Sequence, residues 1–185
     1  MFQENYLVTY QEIIDSLNEV REILVENYHS LYLDHLNQLI DKVHIFKTHF
    51  ASLDIRQDHS KHYLTVETVL KANGVIKESL SELTEEALVD WLLHKNIKLT
   101  AGDFEEGIVR DTITNIQQLK AIQSKNGEDG CNRYIISNSE DIFSVLFVFG
   151  LFRWSGWKTE EITFDIIPLF ETMKGMDASE NVMQY

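Results

Sequence analysis

Two segments decide the fold that this sequence predicts: Leu53-Asp54-Ile55-Arg56-Gln57 and Ile166-Ile167-Pro168-Leu169-Phe170-Glu171-Thr172. Each is a run of aliphatic or β-branched residues that ends at a charged side chain, as a barrel strand does when it presents a functional group at its C-terminal end. Arg56 offers a guanidinium group and Glu171 a carboxylate, a pair suited to holding an anionic substrate and its divalent metal. We expect neighbouring parallel strands to bring both groups to one site.

The rest of the chain predicts a helix-rich α/β fold with about six helices. The predicted strands are residues 51–55, Arg133–Ser137 and Ile162–Phe170. The segment Ile142–Trp154 is apolar on nearly every face and predicts a buried helix, capped by Asn138 or Ser139. This helix joins the last two strands as a βαβ unit, which implies parallel pairing. Three strands cannot close a barrel, so we expect an open arc.

The first fifty residues predict an antiparallel helical hairpin, because their apolar residues recur at intervals of three and four. The stripe is formed by Tyr6, Tyr10, Ile13, Leu17, Val20 and Leu24, and then by Leu33, Leu36, Ile40 and Val43. We predict a single domain over residues 1–185, with the hairpin at 1–50 and the barrel segment at 51–185. Within the latter we predict a charged loop at 56–60 and helices at 63–72 and 103–123.

Composition and charge exclude several classes of partner. The chain has 185 residues and a formal net charge of −14, so it lacks the basic surface that nucleic acids and anionic membranes require. The longest apolar stretch, Phe143–Phe152, is much shorter than the ~20 residues of a membrane-spanning helix. The single cysteine, Cys131, cannot form an internal disulfide, which favours a reducing cytoplasmic location.

Arg56 and Glu171 each have a structural and a functional interpretation. Arg56 is either a surface arginine paired with Asp54 or Asp58, or a bidentate clamp on a carboxylate or phosphate. Glu171 is either the solvated first residue of a loop or an oxygen ligand of Mg²⁺ or Mn²⁺. One carboxylate binds such a metal poorly, so we expect a second acidic ligand, which the neighbouring sequence does not supply.

His59 and His62 allow a different kind of site. They could share a helical face as metal ligands, and with an acidic group they would suit a stand-alone metal-dependent hydrolase. No third or fourth ligand is spaced to complete a zinc site. We therefore keep the hydrolase as an alternative only.

Three segments together resemble the phosphoenolpyruvate carboxylase family, from about His49 to the C-terminus. They are Leu53-Asp54-Ile55-Arg56-Gln57-Asp58, Arg133-Tyr134-Ile135-Ile136-Ser137 and Ile167-Pro168-Leu169-Phe170-Glu171-Thr172. Each is weak alone, but their order and spacing make the resemblance specific.

The resemblance implies a (β/α)₈ barrel enzyme that joins phosphoenolpyruvate and bicarbonate into oxaloacetate and phosphate, an anaplerotic step that feeds the tricarboxylic acid cycle. It implies Mg²⁺ or Mn²⁺, no biotin and a tetrameric parent. By position, Arg56 resembles an arginine that contacts phosphoenolpyruvate, with a catalytic role of holding charge that builds on the substrate, and Glu171 resembles one of two metal-binding carboxylates. In the family's chemistry, phosphate passes to bicarbonate, leaving the enolate of pyruvate and a carboxyphosphate that yields CO₂.

Enzymes of this family are several times longer than this chain, so we expect an internal fragment that makes no oxaloacetate alone. We also expect an open arc of three strands to expose apolar surface and to self-associate. The competing interpretation is a non-catalytic helical module in which Arg56 and Glu171 are structural.

Overall fold

The computed structural model describes residues 8–184, which form seven α-helices and three β-strands. In chain order they are α1 (Tyr10–Asn27), α2 (Leu33–Phe46), β1 (Asp54–Asp58), α3 (His59–Ala72), α4 (Glu85–Leu93), α5 (Ile108–Asn126), β2 (Arg133–Ser137), α6 (Phe143–Trp154), β3 (Asp165–Pro168) and α7 (Met173–Met183). Four single 3₁₀ turns also occur, at Leu80–Glu82, Ala101–Asp103, Glu128–Gly130 and Thr159–Glu161. The helix-rich α/β class is confirmed.

The three strands form one parallel sheet in the order β1-β2-β3. Arg56 of β1 pairs in register with Ile135 of β2, and Ile135 pairs with Ile167 of β3. Parallel pairing agrees with the prediction. The prediction that the Arg56 and Glu171 segments are neighbours is wrong, because β2 lies between them. One edge of β2 pairs with β1 and the other with β3.

One face of the sheet carries the hydrophobic core of this part of the chain. Tyr134 and Ile136 are buried, and Ile55 packs against the same cluster, because alternate side chains of a strand point to the same face. Helices α3 and α6 pack on the sheet and on each other. The opposite face, here called the open face, carries Arg56 in the row that contains Ile135 and Ile167.

Helix α6 is buried on most faces, as its sequence predicts. Its seven buried residues are Ser144, Phe147, Val148, Gly150, Leu151, Phe152 and Trp154. Helix α4 approaches it closely at Gly150, where an added Cβ would lie 2.6 Å from Leu92 Cδ2. Arg153 then donates from Nη1 to the Leu92 carbonyl oxygen at 2.7 Å, which satisfies a backbone group that the end of α4 leaves without a helical partner.

The chain divides into two compact units, and each is described by itself. The first comprises residues 1–52 and 123–130, and the second residues 53–122 and 131–185. In the first unit, α1 and α2 pack together as the predicted hairpin. Thr9 and Glu12 form a capping box at the start of α1, and the Tyr10 hydroxyl lies 2.6 Å from His44 Nδ1. Tyr6 lies outside the described residues. The single-domain assignment stays a prediction.

The structure corrects the predicted boundaries of two strands. The first strand spans Asp54–Asp58 rather than 51–55, and no charged loop separates it from α3. The Asp58 carboxylate accepts a hydrogen bond from the Ser60 backbone N–H at 2.8 Å, so Asp58 caps α3 and the helix begins at His59 instead of Tyr63. The last strand is limited to Asp165–Pro168, the residues that pair in register with β2, and a 3₁₀ turn at Thr159–Glu161 precedes it.

Two helix boundaries also differ from the prediction. Helix α5 spans Ile108–Asn126, so it begins five residues after its predicted start and ends three residues beyond its predicted end. Neither Asn138 nor Ser139 caps α6. The Ser139 hydroxyl donates instead to the Ile136 carbonyl oxygen at 3.0 Å, and Asp141 accepts from the Ser144 backbone N–H at 3.2 Å. Among residues 8–184, no helix is both long enough and apolar enough to cross a membrane.

Candidate site at the C-terminal edge of the sheet

Three polar residues link the C-terminal ends of all three strands. Asp58 is the last residue of β1, Asn138 follows β2 directly, and Glu171 lies three residues beyond the end of β3. Asn138 donates from Nδ2 to Asp58 Oδ2 at 2.6 Å and from its backbone N–H to Glu171 Oε1 at 3.0 Å. A single residue therefore hydrogen-bonds two carboxylates, one at the end of β1 and one beyond the end of β3.

Asn138 adopts the left-handed backbone conformation, with φ of 55°. This region disfavours most side chains but is tolerated by asparagine, which explains the residue type at this turn. The next residue is held too, since the Ser139 backbone N–H donates to the Leu169 carbonyl oxygen at 3.2 Å. The turn after β2 is thus fixed from both sides.

Both oxygens of the Asp58 carboxylate have partners. Oδ1 accepts from the Ser60 hydroxyl at 2.5 Å as well as from the Ser60 N–H, and Oδ2 accepts from Asn138. The hydrogen bond from the Ser60 hydroxyl, assisted by that from Asn138, lowers the pKa of Asp58 below its ordinary value. Asp58 is a charged anchor for this edge of the sheet.

Glu171 is exposed, and Asn138 engages only its Oε1 atom. The chain turns into α7 directly after it, because the Thr172 side chain accepts from the Gly175 backbone N–H at 2.9 Å. Gly175 packs tightly there, since a Cβ at this position would lie 2.5 Å from the Ser139 carbonyl oxygen. The segments after β2 and after β3 are therefore in direct contact beside Glu171.

Arg56 lies deeper than predicted. It is the third of the five residues of β1 rather than the residue after the strand, so its side chain leaves the open face two positions before the C-terminal edge. Neither aspartate of the structural interpretation pairs with it, because Asp54 binds Arg133 Nε at 2.7 Å and Asp58 binds Ser60 and Asn138. Within residues 8–184 the exposed guanidinium of Arg56 has no ion-pair partner.

The two histidines of the alternative site are held by different aromatic neighbours. His62 is fully buried, and its Nε2 lies 2.9 Å from the Tyr134 hydroxyl. The His59 ring stacks on Phe147, with ring centroids 5.8 Å apart. No cluster of three or more His, Cys, Asp or Glu side chains in the described part of the chain could hold a metal ion. The structure does not support the stand-alone hydrolase.

The sequence did not identify Asp58 and Asn138 as site residues. Asp58 had a readable signal, since an aspartate before the helical periodicity of α3 is typical of an N-cap. Asn138 had an ambiguous one, because asparagine is common both in caps and in left-handed turns. Their contacts join positions 80 and 33 residues apart in the chain, which only the strand register brings together.

Comparison with known proteins places the chain in a family. The family described as phosphoenolpyruvate carboxylase matches residues 1–185. A phosphoenolpyruvate carboxylase of Synechocystis sp. is 29% identical over 188 residues, covering 97% of this chain and 18% of that protein. One of Gloeobacter violaceus is 30% identical over 156 residues, covering 80% of this chain and 17% of that protein. The chain thus spans less than a fifth of the length of these relatives. On this match across its whole length, the chain belongs to the phosphoenolpyruvate carboxylase family.

Proposed function

We propose that this chain is a barrel segment of a phosphoenolpyruvate carboxylase, which carboxylates phosphoenolpyruvate with bicarbonate to give oxaloacetate and phosphate. The observation that carries the proposal is the guanidinium of Arg56, which has no ion-pair partner among residues 8–184 and lies on the open face of a parallel sheet whose C-terminal edge holds Glu171. In a closed (β/α)₈ barrel the face away from the helices is the interior, and the C-terminal edge is where the chemistry occurs.

Arg56 is suited to binding the substrate. Its guanidinium lacks an acidic partner in the described chain, so its charge is available to an anion, and its planar fork matches a carboxylate or phosphate with two hydrogen bonds. Ile135 and Ile167 continue the same row of the sheet. These aliphatic neighbours would lower the local polarity and strengthen the ionic contact. Arg56 would hold negative charge that builds on the substrate.

Glu171 is suited to holding Mg²⁺ or Mn²⁺. Its Oε2 has no hydrogen-bond partner among the described residues, whereas both oxygens of Asp58 are engaged. A hard divalent ion prefers carboxylate oxygens of this kind, and when bound it supplies Lewis-acid stabilisation of developing negative charge. One glutamate makes an incomplete site, so the second carboxylate would come from a part of the parent enzyme outside these residues.

The remaining properties follow from the same proposal. The parent would use no biotin, would act in the cytoplasm at an anaplerotic step that feeds the tricarboxylic acid cycle, and would assemble as a homo-oligomer. The isolated chain would be inactive. Its site supplies one arginine and one metal carboxylate, while the transfer of a phosphoryl group to bicarbonate requires further residues to orient both substrates.

The roles of the two residues can be tested on the 185-residue chain by NMR. We expect phosphoenolpyruvate to shift the backbone amide signals of β1 around position 56, and Mn²⁺ to broaden amide signals around Glu171. Arg56→Lys should weaken the first response and Glu171→Gln the second, whereas Asp177→Asn, which alters an exposed carboxylate of α7, should change neither. Responses that persist in Arg56→Lys and Glu171→Gln would contradict the assigned roles.

A malate-dehydrogenase-coupled assay tests the inactivity. We expect no bicarbonate-dependent oxaloacetate from the purified chain with phosphoenolpyruvate and Mg²⁺. A full-length carboxylase assayed in parallel shows that the coupling system works. Product that depends on bicarbonate and disappears in Arg56→Lys would show that the segment is catalytic alone.

A further inference from the structure

We propose that Asn138 is a positioning residue that holds the Glu171 carboxylate in place for its metal by bridging it to Asp58. The inference rests on the proposed metal role of Glu171 and adds a residue that the sequence pattern assigned only to a helix cap. Its basis is the pair of hydrogen bonds at 2.6 and 3.0 Å that Asn138 donates to the two carboxylates.

The position of Asn138 in the sheet makes this bridge possible. β2 is the central strand, so the residue that follows it is adjacent to the ends of both β1 and β3. A side-chain amide and a backbone N–H are both donors, and each meets a carboxylate acceptor. Asn138 thereby places neutral donors between two negative charges and reduces the repulsion that would otherwise move Glu171 outward.

The bridge also has a fixed anchor. Asp58 accepts from the first turn of α3 through the Ser60 N–H and hydroxyl, so its carboxylate cannot follow a displaced Asn138 without uncapping the helix. On the other side, the Ser139 N–H bonds to Leu169 and keeps the turn against the segment that leads to Glu171. Glu171 Oε1 is therefore held, and Oε2 remains available as a ligand. Outer partners of this kind commonly orient metal-binding carboxylates.

Two substitutions remove the side-chain hydrogen bond between Asn138 and Asp58 while keeping the backbone conformation at position 138. Asn138→Gly retains the N–H and adopts a φ of 55° without strain, but removes the side-chain bond to Asp58. Asp58→Ser retains a hydroxyl that can cap α3, but is too short to reach Asn138. Asp177→Asn again serves as the control outside the network.

The experiment titrates Mn²⁺ into the ¹⁵N-labelled chain and measures the concentration that half-broadens the amide signals of residues 170–173. The exchange protection of the backbone amide at position 138, relative to the intrinsic rate of the residue there, is measured without metal. We expect Asn138→Gly and Asp58→Ser to raise the half-broadening concentration by about tenfold and to lower the exchange protection of the backbone amide at position 138. Urea unfolding of each variant verifies that it is folded; if the glycine variant is not, Asp58→Ser decides.

The outcomes distinguish this inference from the proposed function. Broadening that persists in Glu171→Gln contradicts the metal role of Glu171. If broadening is lost in Glu171→Gln but unchanged in folded Asn138→Gly and Asp58→Ser, the positioning role of Asn138 is overturned and the metal role of Glu171 stands. A metal response that weakens in Asn138→Gly and Asp58→Ser, together with lower exchange protection of the backbone amide at position 138, supports it.

Discussion

The Nε2 atom of His62 lies 2.9 Å from the hydroxyl oxygen of Tyr134, and both side chains are buried. This contact joins α3 to the central strand on the core face of the sheet. His62 Nδ1 is also buried and has no hydrogen-bond partner among the described residues. The ring therefore depends on Tyr134 for its single hydrogen bond, and stability should be sensitive to both residues.

Removing the Tyr134 hydroxyl should destabilise the second unit. Tyr134→Phe keeps the ring contact with Phe152, whose centroid lies 5.8 Å away, but leaves the His62 imidazole with neither nitrogen bonded. We expect the free energy of unfolding to fall by about 1–3 kcal/mol in a urea titration. Tyr32→Phe, at a residue that is 68% exposed, should change it by less than ~0.5 kcal/mol. Equal effects of the two changes would contradict the importance of the buried pair.

Stability should decrease as the pH falls from about 6.5 to about 4. Burial, assisted by the charge of His59 and opposed by Asp58, lowers the pKa of His62 to about 4 from an ordinary value of 6.5. Between these values the unfolded chain binds a proton that the folded chain does not, so acid favours unfolding. The full loss attributable to His62 is about 3 kcal/mol.

Urea unfolding at pH 7 and pH 5 in wild type and His62→Gln measures this contribution. The variant carries no titratable group at this position, so its stability should change less between the two pH values. The comparison cancels the contributions of the other histidines. An identical pH dependence in the two proteins would contradict a depressed pKa for His62.

The contact between α4 and α6 requires a glycine. A Cβ at position 150 would lie 2.6 Å from Leu92 Cδ2 and 3.4 Å from the Leu92 Cα atom, and Leu92 is fully buried. Because the Leu92 side chain has no room to move, we expect Gly150→Ala to cost about 1–3 kcal/mol of stability. Gly102→Ala is the matched control, since no atom lies within 4 Å of its added Cβ. A neutral Gly150→Ala would show that the two helices can separate.

The sequence was sufficient for the parts of the fold that depend on local periodicity. Helix α6 is apolar on almost every face, and its sequence predicted burial because no side of it could be left in water. The strand Arg133–Ser137 before it and the strand after it then required parallel pairing, as observed.

The depth of Arg56 in its strand could not be read from the sequence. The alternation that predicts β1 does not show where the strand ends, and its end is set by Asp58 accepting from the first turn of α3. Asn138 was misassigned for a related reason, because its left-handed conformation is set by contacts with Asp58 and Glu171. These contacts depend on strand register, which local patterns do not specify.

Self-association should depend on the open face of the sheet. Among residues 8–184, strands β1 and β3 each pair only with β2, so each has an edge without a strand partner there, and Ile135 and Ile167 are only partly buried beside them. Unpaired strand edges next to aliphatic surface favour pairing with another copy.

We expect the apparent mass of the chain in light scattering to rise with protein concentration. Ile135→Lys should reduce this rise, because a charge on the open face disfavours an apolar contact. Val25→Lys, which places the same charge on α1, is the control and should have a smaller effect. A constant monomer mass at every concentration, or equal effects of the two lysines, would rule out the open face as the surface of association.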